Sequence, residues 1–245
     1  MLAEARIGTT GFSYREWAGR AYPAGLTPLQ MLAYYSSQLS GVELAPPKLP
    51  GPDILASWAA AVPSGFQFAV RYPGHVDFRS GKAVAKGLGE LLECVEPLGM
   101  TLGPILIQAP STVTADRHVL ADLLRAAPSE LRLAFEFRHP TWNDESTLRL
   151  LSAHEAALVL SDHGEGPPRL AVTAGFTYVR IRRDDDQPDV WTEWADRLAT
   201  IVRRGVDVYG FLKHDRKGVS FDRARRLAML LTAEEGTASQ QLLLT

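Results

Sequence analysis

LAFEFRHPTWND, residues 133–144, alternates apolar and polar side chains and then closes on Arg138, His139 and Trp142. Positions two apart on a strand share a face, so Glu136 and Arg138 point one way while Leu133, Phe135 and Phe137 point the other. One face that is apolar throughout and one that ends in an acid and a base suit a strand of a closed parallel barrel. The outer face packs on amphipathic helices, and the inner face carries its polar residues toward the rim. This parity directs Ala134, Glu136 and Arg138 inward.

The same unit repeats in both directions along the chain. Strand patterns fall at 5–10, 41–46, 66–73, 102–110, 131–138, 157–162, 176–182 and 207–214, and helical periodicity at 27–39, 52–62, 84–98, 115–126, 145–154, 190–204 and 219–232. Seven of the eight strands are followed by a helix, and no Pro- or Ser-rich linker divides the chain. The expectation is an α/β fold, a TIM-type (β/α)8 barrel in a single domain, with the barrel over about 5–232 and a loose tail over about 233–245. Between strands six and seven, HGEGPPRLAVTAG spaces its Gly and Pro so that a full helix is prohibited, and the helix there is missing or shortened.

Composition narrows the function classes. Apolar residues make up 46% and charged residues 22% of 245, with a net charge of −2, so the chain as a whole attracts neither nucleic acid nor anionic lipid. No apolar run is long enough for a bilayer, and the N-terminus enters a strand pattern at once, without the apolar core of a secretory leader. A cytoplasmic protein with no membrane association is expected. The one cysteine, Cys94, forms no disulfide or cysteine-rich metal site and reads as a small buried hydrophobe.

Parity read on the other strands gathers a polar constellation. Val42 and Leu44 face out and Glu43 in; Phe68, Val70 and Tyr72 face out and Gln67, Ala69 and Arg71 in; Val179 and Ile181 face out and Tyr178, Arg180 and Arg182 in. Leu106 and Gln108 share a face, as do Leu158, Leu160 and Asp162, whereas DVYGFLKH is apolar on both faces. Glu43, Arg71, Gln108, Glu136, Arg138, Asp162, Tyr178 and Arg180 thus fall at C-terminal strand ends, where barrel enzymes build their sites. Buried charges must find partners, so the group is either a ring of internal salt bridges or a ligand pocket.

Several short motifs resemble the domain of unknown function 72 family, the YecE-like TIM barrels, from about residue 6 to about residue 231. They are IGTTGFSYREW (7–17), Tyr22-Pro23, LGPILIQAP (102–110), FEFRHPTW (135–142), FTYVRIR (176–182) and FLKHD (211–215). The resemblance implies a TIM barrel and no established reaction. Two stretches depart from the family pattern. Where the family carries a segment resembling VEINSTFY, this chain keeps Glu43 but continues with Ala45, Pro46, Pro47 and Lys48, and strand eight ends in Lys213, His214 and Asp215. Both departures bear on substrate specificity and on activity itself.

Three chemistries fit these residues. In the first, a small anionic substrate, phosphorylated or carboxylated, is bound without metal or cofactor. Glu136, Asp162 and His214 act in acid–base steps, while Glu43, Arg71, Gln108, Arg138, His139, Trp142, Tyr178, Arg180 and Lys213 bind substrate. The loop HDRKGVS (214–220), at the start of the last helix, adds a possible anion cradle. In the second, Glu43, Glu136, Asp162 and His214 hold a divalent ion for hydrolysis or isomerisation, as in sugar isomerase or endonuclease IV-like barrels; the accompanying arginines compete for those carboxylates, which weakens it. In the third, Phe12, Tyr14 and Trp17 of the first loop, with Arg15 and Arg20, stack nucleic-acid bases without catalysis, against the more ordinary reading of a hydrophobic plug. His163 is a candidate helper for Asp162, and RRDDDQPD (182–189) reads as a solvated acidic loop.

Overall fold

Eight strands alternate with helices among the described residues of the computed structural model, which are 3–73, 78, 80–162, 171–183 and 187–242. The strands are β1 Ala5–Thr9, β2 Gly41–Leu44, β3 Gln67–Arg71, β4 Leu102–Ala109, β5 Leu133–Phe137, β6 Ala157–Asp162, β7 Phe176–Ile181 and β8 Asp207–Leu212. Between and after them lie α1 Pro28–Ser36, α2 Pro52–Ala61, α3 Gly81–Val95, α4 Arg117–Ala126, α5 Glu145–Ala153, α6 Pro188–Arg203 and α7 Val219–Leu242. All strands are parallel and form one sheet in the order β1-β8-β7-β6-β5-β4-β3-β2. It is the TIM-type barrel that the alternation predicts.

Helix starts follow local chemistry. Thr27 and Gln30 form a reciprocal capping box before Pro28, and Asp116 and Asp144 accept backbone N–H groups at the starts of α4 and α5. The described part of the β6–β7 connection, residues 171–175, contains no helix; residues 163–170, and His163 with them, lie outside the described residues. The expected loose tail needs correction, because α7 continues past residue 232 to Leu242. Cys94 is also corrected: α3 buries Leu88, Leu91 and Val95 along one stripe, and Cys94 lies off that stripe, exposed. Among the described residues no helix is long and apolar enough to cross a membrane.

Strand parity sorts the core into two layers. Val42, Phe68, Val70, Ile105, Ile107, Leu133, Phe135, Val179 and Ile181 pack outward against the helices. Ala69, Leu106, Ala134, Ala157, Val159, Phe176, Tyr178, Tyr209 and Phe211 fill the interior, small residues opposite large ones. The ambiguous β8 is thereby settled, with Tyr209 and Phe211 inside and Val208 and Leu212 outside. Tyr209 plugs the N-terminal end: its hydroxyl donates to Gln67 Oε1 at 2.6 Å and accepts from Arg132, while Arg6 sits 5.3 Å over its ring. Gln67 therefore belongs to the closed floor rather than to the rim.

The barrel closes between β1 and β2 at a seam with little ladder of its own, a single parallel bridge from Thr10 to Glu43. The buried Tyr35 hydroxyl of α1 bridges the rest, accepting from the Thr9 N–H at 2.7 Å and donating to the Gly41 carbonyl at 3.1 Å. Gly8 makes this approach possible, since a Cβ there would stand 1.8 Å from the Gly41 oxygen. Tyr35→Phe leaves a buried N–H without its acceptor and is expected to cost about 1–3 kcal/mol in denaturant unfolding. Gly8→Ala should cost more. Wild-type stability in both variants would show that the seam does not depend on this hydroxyl.

Candidate functional site

Glu43, from the end of β2, is wholly buried and fully engaged. Its Oε1 accepts from Arg180 Nη2 at 2.8 Å and from Thr10 Oγ1 at 2.9 Å, and its Oε2 accepts from the Tyr178 hydroxyl at 2.8 Å. Glu136 is 2% exposed, and its Oε2 accepts from Arg180 Nη1 at 2.6 Å and from Gln108 Nε2. Register explains the last contact, since Gln108 on β4 stands directly opposite Glu136 on β5. One guanidinium thus spans two carboxylates contributed by strands on different sides of the barrel. The β5–β6 ladder covers only Ala134–Ala157 and Phe135–Leu158, so pairing stops short of Glu136.

Arg138 shares the face of Glu136, as parity requires, but stands 4.0 Å from its Oε2 with 46% of its side chain exposed. The close partner of Glu136 is Arg180. Arg182, two residues beyond Arg180 on the same face, completes the group: it lies in the electrostatic field of Arg180, Glu43, Glu136 and Arg138, and its buried Nε has no hydrogen-bond partner among the described residues. Three guanidinium groups therefore surround two carboxylates, leaving a net positive mouth among the described residues.

The titration behaviour follows. Burial pushes the Glu136 carboxyl up, but Arg180, the Gln108 hydrogen bond, Arg182 and Arg138 together outweigh it and hold the group below its ordinary value. Burial disfavours the charged form of Arg182, and repulsion by Arg180 adds to this, so its pKa is lowered. Arg180 shifts the other way despite its burial, because Glu43 and Glu136 favour its charge. Burial, then the neighbouring Glu43 carboxylate, raise the Tyr178 phenol far above its usual range, so it serves as a neutral donor.

The remaining sequence candidates take other partners. Asp162 follows the register of Leu160, which faces outward, and pairs with Arg183 at 2.9 Å. His214 stacks on Tyr14 with centroids 3.6 Å apart, and its Nε2 stands 3.4 Å from Glu16 Oε1. The four proposed metal donors are not brought together, and no group of three or more His, Cys, Asp or Glu able to hold a metal occurs among the described residues. Arg71 donates to the Ala45 carbonyl at 2.8 Å; Lys213 is exposed at the end of β8. His139 Nδ1 accepts from the Thr141 N–H at 3.3 Å, capping a short 3-10 turn, Pro140–Trp142. Trp142 is buried against Phe137, centroids 4.2 Å apart, and donates to the Val113 carbonyl at 3.0 Å, so it packs beneath the rim rather than lining it.

One further expectation changes and one is borne out. The anion cradle at the start of α7 is filled by the chain itself, because the Asp215 carboxylate accepts from the N–H groups of Lys217, Val219 and Ser220. The first-loop aromatics form the hydrophobic plug of the more ordinary reading: Phe12 and Trp17 are buried, and Trp17 Nε1 donates to the Asp215 carbonyl at 2.7 Å. Conversely, Thr10 and Arg182 belong to the centre and were absent from the expected set. Alternation in ARIGTT points Thr10 inward, and the parity of FTYVRIR does the same for Arg182.

The family model described as "Protein of unknown function DUF72" matches residues 6–243. The chain belongs to that family. A DUF72 family protein (TM1631) of Thermotoga maritima is similar in structure, with a TM-score of 0.82 at 26% identity over 94% of this chain and 99% of that one. A DUF72 family protein (EF0366) of Enterococcus faecalis shares the fold, with a TM-score of 0.69 at 19% identity over 93% of this chain and 95% of the other. No curated protein matches.

For this DUF72 protein the two arginines nearest Glu136 should behave differently on removal. Arg180→Met strands two buried carboxylates and is expected to lower stability by about 3–5 kcal/mol. Arg138→Ala removes a half-exposed partner and should cost less than about 1 kcal/mol. Denaturant midpoints decide this, and equal losses would refute the assigned geometry.

Proposed function

We propose that the mouth of the barrel binds a small anion, phosphorylated or carboxylated, and performs acid–base chemistry on it with Glu136 as the base. The observation that carries this reading is the surplus of guanidinium over carboxylate among the described residues of the mouth. Arg180 is satisfied by Glu43 and Glu136, whereas Arg182 is half-buried beside two like charges and carries a buried Nε with no hydrogen-bond acceptor among the described residues. A phosphate or carboxylate placed between Arg138 and Arg182 relieves that repulsion and supplies acceptors suited to their forked donors.

The same electrostatics supports Glu136 as the base. In the resting site the surrounding guanidinium groups keep it ionised and weakly basic. An arriving anion offsets their field and raises the proton affinity of Glu136 when substrate is present. Arg180 and Gln108 meanwhile fix the carboxylate's orientation. The donor chemistry disfavours a metal here, since Arg180 occupies oxygens of both carboxylates.

Thermal denaturation with phosphate, sulfate and simple carboxylates tests the reading. Wild type should be stabilised, by about 2.7 kcal/mol when the anion is at 100 times its Kd. Arg138→Ala and Arg182→Ala should lose most of that effect, and Glu136→Gln should keep it. If none of the anions raises the wild-type melting temperature, the proposal fails.

A further inference from the structure

Beside the polar centre, between the loop after β1 and the loop after β2, lies a pocket of about 290 Å³. It is near the small end of ligand pockets, which run from roughly 300 to 1,000 Å³. Its walls include Phe12, Tyr14, Pro46, Pro50 and Trp58. Phe12 and Trp58 meet edge to face, centroids 5.1 Å apart. One hydrogen bond joins this pocket to the polar centre: Thr10, in its wall, donates to Glu43.

The polar atoms of the pocket are largely consumed within the protein. The Tyr14 hydroxyl donates to the Thr10 carbonyl at 2.7 Å, and the Thr10 hydroxyl is given to Glu43. Gly11 permits this arrangement: its φ is +75°, and a Cβ there would lie 2.3 Å from the Tyr14 hydroxyl oxygen. What remains for a guest is aromatic and proline surface with few donors, a poor host for the hydroxyls of a sugar. The Ala45-Pro46 segment, where the chain departs from the pattern VEINSTFY, supplies part of that surface. A larger groove of about 540 Å³ between α1 and α7 shares no residue with the rim.

Resting on the anion reading above, we propose that the substrate is an anion bearing an apolar aromatic ring, and that the ring enters this pocket while the anionic group meets Arg138 and Arg182. Isothermal titration with phenyl phosphate, inorganic phosphate and ribose 5-phosphate tests it. Phenyl phosphate should bind at least tenfold more tightly than either of the others. That preference should collapse toward one in Trp58→Ala, which removes a wall, and in Ala45→Leu, which fills the space without deleting packing. If phosphate binds and phenyl phosphate binds no more tightly than phosphate or ribose 5-phosphate, the ring subsite is wrong and the anion reading stands. If none of the three binds, both fall. A preference that survives Ala45→Leu in a folded variant also overturns the assignment of the ring to this pocket.

Discussion

A single guanidinium holding two buried carboxylates, Arg180 between Glu43 and Glu136, is the constraint on which the rim is built. The three groups come from β7, β2 and the C-terminal half of β5, so their pairing ties distant strands across the open end of the barrel. At the closed end Tyr209 does the corresponding work with uncharged contacts to Gln67 and a cation over its ring. Burying ions is a poor way to gain stability, because desolvation cancels most of the attraction and well-packed apolar residues do as well. At the closed end the ion pairs of Arg6, with Glu4 and Asp207, have solvent-accessible carboxylates, whereas those of Arg180 at the rim are buried, which favours a chemical role for the rim charge over a structural one.

The cluster also sets what its neighbours can do. In the proposed function, with Arg180 saturated, recognition of an anion falls to Arg138 and Arg182, which parity brings to the same mouth from β5 and from the end of β7. Because those cations depress the proton affinity of Glu136, its basicity depends on what binds beside it. On that proposal one electrostatic field links recognition to reactivity.

Alternation of side chains was enough to read the fold and the inward direction of Glu43, Gln108, Glu136, Tyr178 and Arg180, because in a parallel barrel one side of each strand must pack on helices. Alternation could not rank contacts. Arg138 is two residues from Glu136 in sequence, but Arg180 is the closer partner because the barrel interior brings β7 toward β5, a relation that no local pattern contains. Asp162 shows the complementary failure: it ends a strand, as the active residues do, but stands in the outward register of Leu160. Asp215 was hidden because a loop aspartate that caps its own helix looks, in sequence, like part of an empty anion cradle. For Phe12 and Trp17 the sequence left a base-stacking surface open beside the more ordinary plug, because their burial depends on contacts made after the chain has closed, among them the one from Trp17 to Asp215 near the far end of the chain.

The central claim is that a positive field, set by Arg180, Arg182 and Arg138, governs the protonation of Glu136. It is tested most directly by following the Glu136 side-chain carboxyl carbon by NMR through a pH titration, with and without sulfate, which remains dianionic over that range. The account predicts a midpoint below the ordinary glutamate value of 4.5 in the free protein and a shift to higher pH when sulfate is bound. A midpoint at or above that value, or one that sulfate leaves in place, would contradict it.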